Sequence, residues 1–194
     1  MSEPWNDEKI LSALSKDKRI TLKVDELISS MKKPYSVLLL SKPEYFNTVK
    51  NYVLQKSFSE KNVVVFISLN TAYKKFEDEF KPSSEFFFID MFSQPANSER
   101  NVFYIGSGSG LSDCNEALDK IFEETKGKTR IVVLDSLPTL LVYNDEASVK
   151  KFVHLLVSKV SSANSSGIIL GLSGAQNSSS AQAISQFVDQ TIEV

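Results

Sequence analysis

The tightest constraint on this chain is a series of short apolar runs that do not alternate with polar residues. Val63 to Ser68 reads VVVFIS, Phe86 to Asp90 reads FFFID and Ile131 to Asp135 reads IVVLD. A strand with one face in water alternates, whereas an unbroken run needs apolar cover on both faces, as in a parallel sheet sandwiched between helices. Tyr35 to Leu40, Val102 to Ile105, Ile168 to Leu172 and Thr191 to Val194 extend the set. Between them lie segments with helical spacing. Pro43 suits the first turn of a helix running through Tyr45, Val49, Tyr52 and Val53. Thr71 to Phe80 carries Phe76 and Phe80 four apart on one face. Leu111 to Glu124 has Ser112 or Asp113 as N-cap and buries Ala117, Leu118, Ile121 and Phe122, while Glu146 to Val160 keeps Val149, Phe152, Val153, Leu156, Val157 and Val160 in phase. The predicted class is α/β, a mostly parallel sheet with helices on both faces.

Two shorter helical patterns, Glu8 to Leu14 and Asp25 to Met31, precede Lys32-Lys33-Pro34. The chain therefore divides into an N-terminal helical extension over 1–34, packed on the core, and an α/β domain over 35–194. No internal repeat and no Pro-, Gly- or Ser-rich linker splits it further. Met1 to Asp7 is polar and acidic, unlike a signal peptide, and no apolar run approaches the roughly 20 residues of a membrane span. A cytoplasmic protein without membrane contact is expected. With 24 acidic against 22 basic residues, the net charge of −2 offers nucleic acid no basic excess.

One cysteine excludes an intramolecular disulfide, and Cys114 beside Asp113 and Glu116 reads as a packing residue rather than a nucleophile. The single histidine, in Phe152-Val153-His154-Leu155-Leu156, reads as a helix-packing residue, and no G-x-S-x-G elbow would give it a serine to activate. The mixed charges of Lys74, Lys75, Glu77 and Glu79 describe a solvated helix face. Asn177 to Ser180, polar and uncharged, reads as a mobile connection.

Ligands of open α/β sheets gather outside the carboxyl ends of strands. That rule selects Ser41, Asp90, Asp135, Ser136 and Ser173. A carboxylate there can direct a hydrated Mg²⁺ or take a proton from water, or it can cap a helix and order a loop. For Asp90 the structural role is the better account; for Asp135 both stay open. Gly106-Ser107-Gly108-Ser109-Gly110 precedes a helix but has no lysine, and acidic residues follow it, so it reads as a flexible connection rather than a phosphate cradle. After the first strong strand, where G-x-x-x-x-G-K-[ST] would stand, the sequence is Ser41-Lys42-Pro43-Glu44-Tyr45-Phe46-Asn47-Thr48, and no glycine occurs before Gly106.

The stretch from Gly110 to Leu118, the strand and following segment Arg130 to Tyr143, the helix Val149 to Val157 and the ending Phe187 to Val194 together resemble archaeal RecA-like proteins related to KaiC and the RadA/Rad55 group. The resemblance covers about residues 35 to 194. It implies a RecA-like P-loop NTPase-type fold, with Asp135-Ser136 at the Walker B position and Ser41 to Thr48 at the phosphate loop, here without a Walker A motif. Pro43 removes an N–H donor from that loop and Glu44 adds negative charge. Ser68-Leu69-Asn70 supplies no catalytic glutamate.

The expected protein is thus a degenerate, non-catalytic RecA-like domain without a cofactor. It would act as a regulatory or scaffolding protein through self-association or a protein partner, with Tyr143 to Lys151 and the N-terminal segment around Trp5 as contact regions, although Trp5 itself reads slightly better as tied down on the body of its own domain. One alternative is a nucleotide-binding protein or ATPase with an unconventional cradle of Asp135, Ser136 and Lys42, in which Asp135 also holds the metal. A second is a DNA-binding accessory protein.

Overall fold

The computed structural model describes residues 15–60, 62–82, 85–94, 99–174 and 178–194; Trp5 and the predicted helix Glu8 to Leu14 lie outside them. In chain order the elements are α1 (Lys16–Ser30), β1 (Ser36–Ser41), a 3₁₀ turn (Pro43–Tyr45), α2 (Phe46–Ser59), β2 (Val63–Ser68), α3 (Tyr73–Phe80), β3 (Phe86–Asp90), β4 (Val102–Tyr104), α4 (Leu111–Glu124), β5 (Arg130–Asp135), α5 (Leu137–Tyr143), α6 (Glu146–Ser162), β6 (Ser166–Leu172), α7 (Ser178–Ser185) and β7 (Gln190–Glu193).

The seven strands among the described residues are all parallel, in the order β4-β3-β2-β5-β6-β1-β7. The unbroken apolar runs behave as their composition demands: every residue of β2, β3 and β5 is buried. Successive side chains go to opposite faces. Val63, Val65 and Ile67 join Leu118, Ile121, Leu140, Val153 and Leu156 under α4–α7. Val64 and Phe66 join Val24, Ile28, Val49, Val53 and Phe76 under α1–α3. The second face is heavily aromatic: Phe76 stacks on Phe86 at 5.0 Å and on Phe80 at 4.6 Å, and Phe66 meets Phe88 edge-on at 5.5 Å. Such pairs add about 0.5–1.5 kcal/mol each beyond area burial.

The sheet ends in two unlike edges. β4 is three residues long. On β7 only Ile192 is buried, and Lys23 of α1 donates to the Glu193 carbonyl at 3.0 Å.

Several expectations need correction. The predicted helix Asp25 to Met31 is the end of the longer α1, which Ser15 caps by accepting from the Lys18 N–H at 3.3 Å. Neither Ser112 nor Asp113 is the N-cap of α4; Gly110 is, without a side-chain bond, so the helix begins earlier than a capping residue indicated. Pro43 opens a separate 3₁₀ turn rather than the first turn of α2. Ser178 to Ser180 belong to a helix, α7, which docks Ala181 and Ile184 into the core. His154 is exposed rather than packed in the apolar face of α6, its ring edge-on to Phe187 at 4.9 Å. Cys114 is wholly buried, and burial pushes its thiol up to about 12, which keeps it inert.

A candidate ligand cleft at the end of β5

Strand order brings the carboxyl ends of β2 and β5 side by side, with Ser68 in register with Asp135. One strand, β6, separates β5 from β1, so the segment after β1 faces Asp135 across the end of β6. Between them lies a cleft of about 310 Å³. Pro43, Phe46 and Asn47 from the turn and α2 form one wall, with Lys50 one helical turn further along. Opposite stand Asn70, Asp135, Ser136 and Thr139, and Pro138 and Leu172 close the apolar side.

Asp135 is fully buried. Its main chain is fixed by the Leu69 N–H, which donates to the Asp135 carbonyl at 2.8 Å. Asn70 Nδ2 donates to Asp135 Oδ1 at 3.3 Å and to Ser136 Oγ at 3.4 Å. Thr139 Oγ1 donates to Asn70 Oδ1 at 2.8 Å and lies 3.1 Å from Ser136 Oγ, so Asn70, Ser136 and Thr139 form one network around Oδ1. Oδ2 is different. Lys50 Nζ lies 3.6 Å away, an ion pair too long for a hydrogen bond, and Oδ2 has no hydrogen-bond partner among the described residues. Burial pushes the Asp135 carboxyl above its ordinary range, and this outweighs the opposing pull of Lys50 and Asn70.

The residues singled out from sequence separate here. Asp135 and Ser136 come together in the cleft. Lys42 is exposed and is not among the residues lining it. Lys50 takes the cationic place instead, half-buried on α2. Asn70, noted in the sequence as a missing carboxylate, is the network's hub. Ser41 is buried at the end of β1 with no hydrogen-bond partner for its hydroxyl among the described residues, and its carbonyl accepts from the Ser173 N–H at 2.9 Å.

Asp90, also fully buried, is saturated. Oδ1 accepts from the Phe92 and Ser93 N–H groups at 2.9 and 2.7 Å; Oδ2 accepts from the Tyr73 N–H at 2.9 Å and from Ser93 Oγ at 2.6 Å. It caps α3 and orders its own loop. The glycine-rich connection after β4 is also occupied. The Tyr143 ring lies where a Cβ on Gly108 would be, 2.3 Å from it, and Asn144 Nδ2 donates to the Gly108 carbonyl at 2.8 Å.

A RecA-type fold implies a nucleoside triphosphate with Mg²⁺, cradled by free N–H groups after the first core strand. The residues present do not fit a triphosphate there. Pro43 has no N–H, the Tyr45 N–H is bonded to the Lys42 carbonyl at 3.0 Å, and the Phe46 N–H is bonded to the Pro43 carbonyl. The Tyr45 and Phe46 donors are used within the turn itself. Beside Asp135, the Lys50 ammonium lies 3.6 Å from Oδ2, so a cation approaching that oxygen would have to displace it.

Comparison with known proteins is consistent with this architecture. Residues 69–194 match the model of a family of unknown function, DUF7504, so the chain belongs to that family. None of the curated proteins matches. Among solved structures, the uncharacterized protein PH0321 from Pyrococcus horikoshii, crystallised in complex with an unknown peptide, superposes with a TM-score of 0.66 at 11% identity, over 89% of this chain and 82% of that one. The Orc1 protein of Aeropyrum pernix, in complex with DNA, gives a TM-score of 0.48 at 11% identity over 99% of this chain and 46% of that one. At 11% identity the likeness to the Pyrococcus protein is one of fold.

Proposed function

We propose that this member of DUF7504 is a degenerate RecA-type domain that does not hydrolyse nucleotide and serves a regulatory or scaffolding role through protein contacts. The observation that carries this reading is the 3₁₀ turn after β1, whose Tyr45 and Phe46 N–H groups are bonded internally. An ordinary phosphate loop offers such groups to the ligand. Contact through the surface is supported by large apolar side chains left in water: Val142 is 77% exposed, Phe92 56% and Tyr143 53%. Isolated exposed apolar residues are common, but Val142 and Tyr143 are adjacent at the end of α5. The Pyrococcus neighbour's capture of a peptide adds support of the same kind. No helix among the described residues is long and apolar enough to cross a membrane.

Calorimetric titration with ATP and ADP, with and without Mg²⁺, tests the catalytic half. The expected result is no binding at about millimolar nucleotide, weaker than about −4 kcal/mol. Micromolar, Mg²⁺-dependent binding would overturn it and would favour the second reading, an unconventional nucleotide site at the 310 Å³ cleft beside Asp135. Sedimentation across a concentration series, repeated with Val142→Lys, tests the contact half: self-association that the substitution abolishes supports it.

A further inference from the structure

We propose that the cleft at the end of β5 binds a small zwitterion, an α-amino acid with an apolar side chain, held at its two charged ends by Asp135 and Lys50. Asp135 Oδ2 is a buried acceptor at the edge of the cleft, without a hydrogen-bond partner among the described residues. Buried polar atoms in native proteins are nearly always satisfied, and an exception calls for a missing donor. An ammonium group is such a donor.

The charge arrangement narrows the ligand. Lys50 Nζ and Asp135 Oδ2 lie 3.6 Å apart. A simple anion drawn to Lys50 comes almost as close to Asp135, and a simple cation meets the reverse problem, so attraction and repulsion nearly cancel. A molecule carrying both charges at similar spacing gains twice by lying antiparallel to the pair. In an α-amino acid the ammonium nitrogen and carboxyl carbon are about 2.5 Å apart by standard backbone dimensions. Lys50 is the part of the pair that can adjust, since its ammonium rides a flexible four-carbon stem. Turning toward the ligand carboxylate, it leaves Oδ2 to the ligand ammonium. Pro43, Phe46, Pro138 and Leu172 offer apolar contact for the side chain, and 310 Å³ is at the small end of the range for small-molecule sites, about 300–1,000 Å³. A triphosphate, with several negative charges against a cleft of balanced charge, is disfavoured. Such a site would stand whether or not the domain also docks a protein.

The test is amide chemical-shift mapping of the full chain with L-leucine, and in parallel with isocaproic acid and isoamylamine, which each lack one of its charges. L-leucine is expected to give saturable shifts at the amides of Phe46, Lys50, Asn70 and Thr139, with either analogue binding at least about tenfold more weakly, a difference of one decade in Kd. Lys50→Met and Asp135→Asn should each weaken leucine at least about tenfold while amides distant from the cleft stay in place. The proposal falls if leucine gives no saturable shift up to about 10 mM, if the analogues match it, or if both variants bind it normally. Saturable shifts with Mg²⁺–ATP but not leucine would overturn this site and the non-catalytic reading together. Silence with both ligands would overturn this site alone.

Discussion

Asp90 and Asp135 end the two strands that flank β2, and both pair with its last residue, Ser68. Both are fully buried. Their chemistry nevertheless diverges. Asp90 receives three backbone N–H groups and a hydroxyl, so all its bonding capacity goes into holding α3 and its own loop. Among the described residues, Asp135 has one long bond to Oδ1 from Asn70, and only the Lys50 charge near Oδ2. Equivalent places in the sheet thus hold one carboxylate committed to the fold and one with an oxygen to spare. Burial does not separate the two; the count of donors does.

The sharpest way to break this contrast is Asp90→Ala. It removes the acceptor of the buried Tyr73 N–H and of the part-buried Phe92 and Ser93 N–H groups and should cost about 4 kcal/mol, read as a lower urea midpoint, since bonds to a charged acceptor are worth about 1.5–3 kcal/mol each. A loss below about 1 kcal/mol would show that the network is not holding α3. Lys50→Met comes next. It leaves the buried Asp135 carboxylate without the cation beside it and should cost about 3 kcal/mol at neutral pH, a cost that the Lys50→Met, Asp135→Asn double variant recovers. Without that recovery, Lys50 would matter for packing rather than charge.

Asp189 offers a third case, at the opposite ends of the strands, where its Oδ2 accepts from the Ser36 N–H at 2.7 Å and from Ser36 Oγ at 2.8 Å. Asp189→Ala should cost about 2 kcal/mol and loosen β7, seen as faster amide exchange at Ile192.

The smallest effect runs the other way: Asp135→Asn should raise stability by about 1 kcal/mol near neutral pH, because a desolvated charge disappears. The sign follows from the raised native pKa of Asp135. Its favourable contribution is complete below the unfolded pKa and fades as pH rises through the native one. The variant's advantage should therefore grow from acid toward neutral pH. An advantage that does not change with pH would mean that Asp135 is not the titrating group.

Much of the architecture was legible because burial on both faces leaves a plain record in sequence. VVVFIS, FFFID and IVVLD became strands within a residue of their apolar limits. Leu111 to Glu124 showed itself through Ala117, Leu118 and Ile121 on one face. The short helices were harder. Leu137 to Tyr143 is seven residues long, and Ser178 to Ser185 is serine-rich, so its helical form depends on Ala181 and Ile184 reaching the core rather than on intrinsic propensity.

At the site, Asp135 and Ser136 were visible because a strand ending in a carboxylate is a local pattern. Lys50 was not. It sits mid-helix with no motif around it, and only the strand order carries α2 across to β5. Lys42 attracted attention by adjacency to β1, yet it ends outside the cleft lining. Asn70 was read for the carboxylate it lacks. The signal that could have marked it is its place two residues beyond β2, the immediate neighbour of β5.

The two edges of the sheet bear on how copies of this domain could assemble. An open sheet grows when an edge strand offers a long row of free backbone groups to a second chain. β4 offers three residues, and on β7 the Glu193 carbonyl already receives Lys23. Lateral addition of strands, the route to continuous ribbons and to aggregation, finds little template at either end. Side chains on helices and loops are then the larger surface on which an ordered assembly could be built. Such an interface can be tuned or dissolved one substitution at a time, as a backbone ladder cannot.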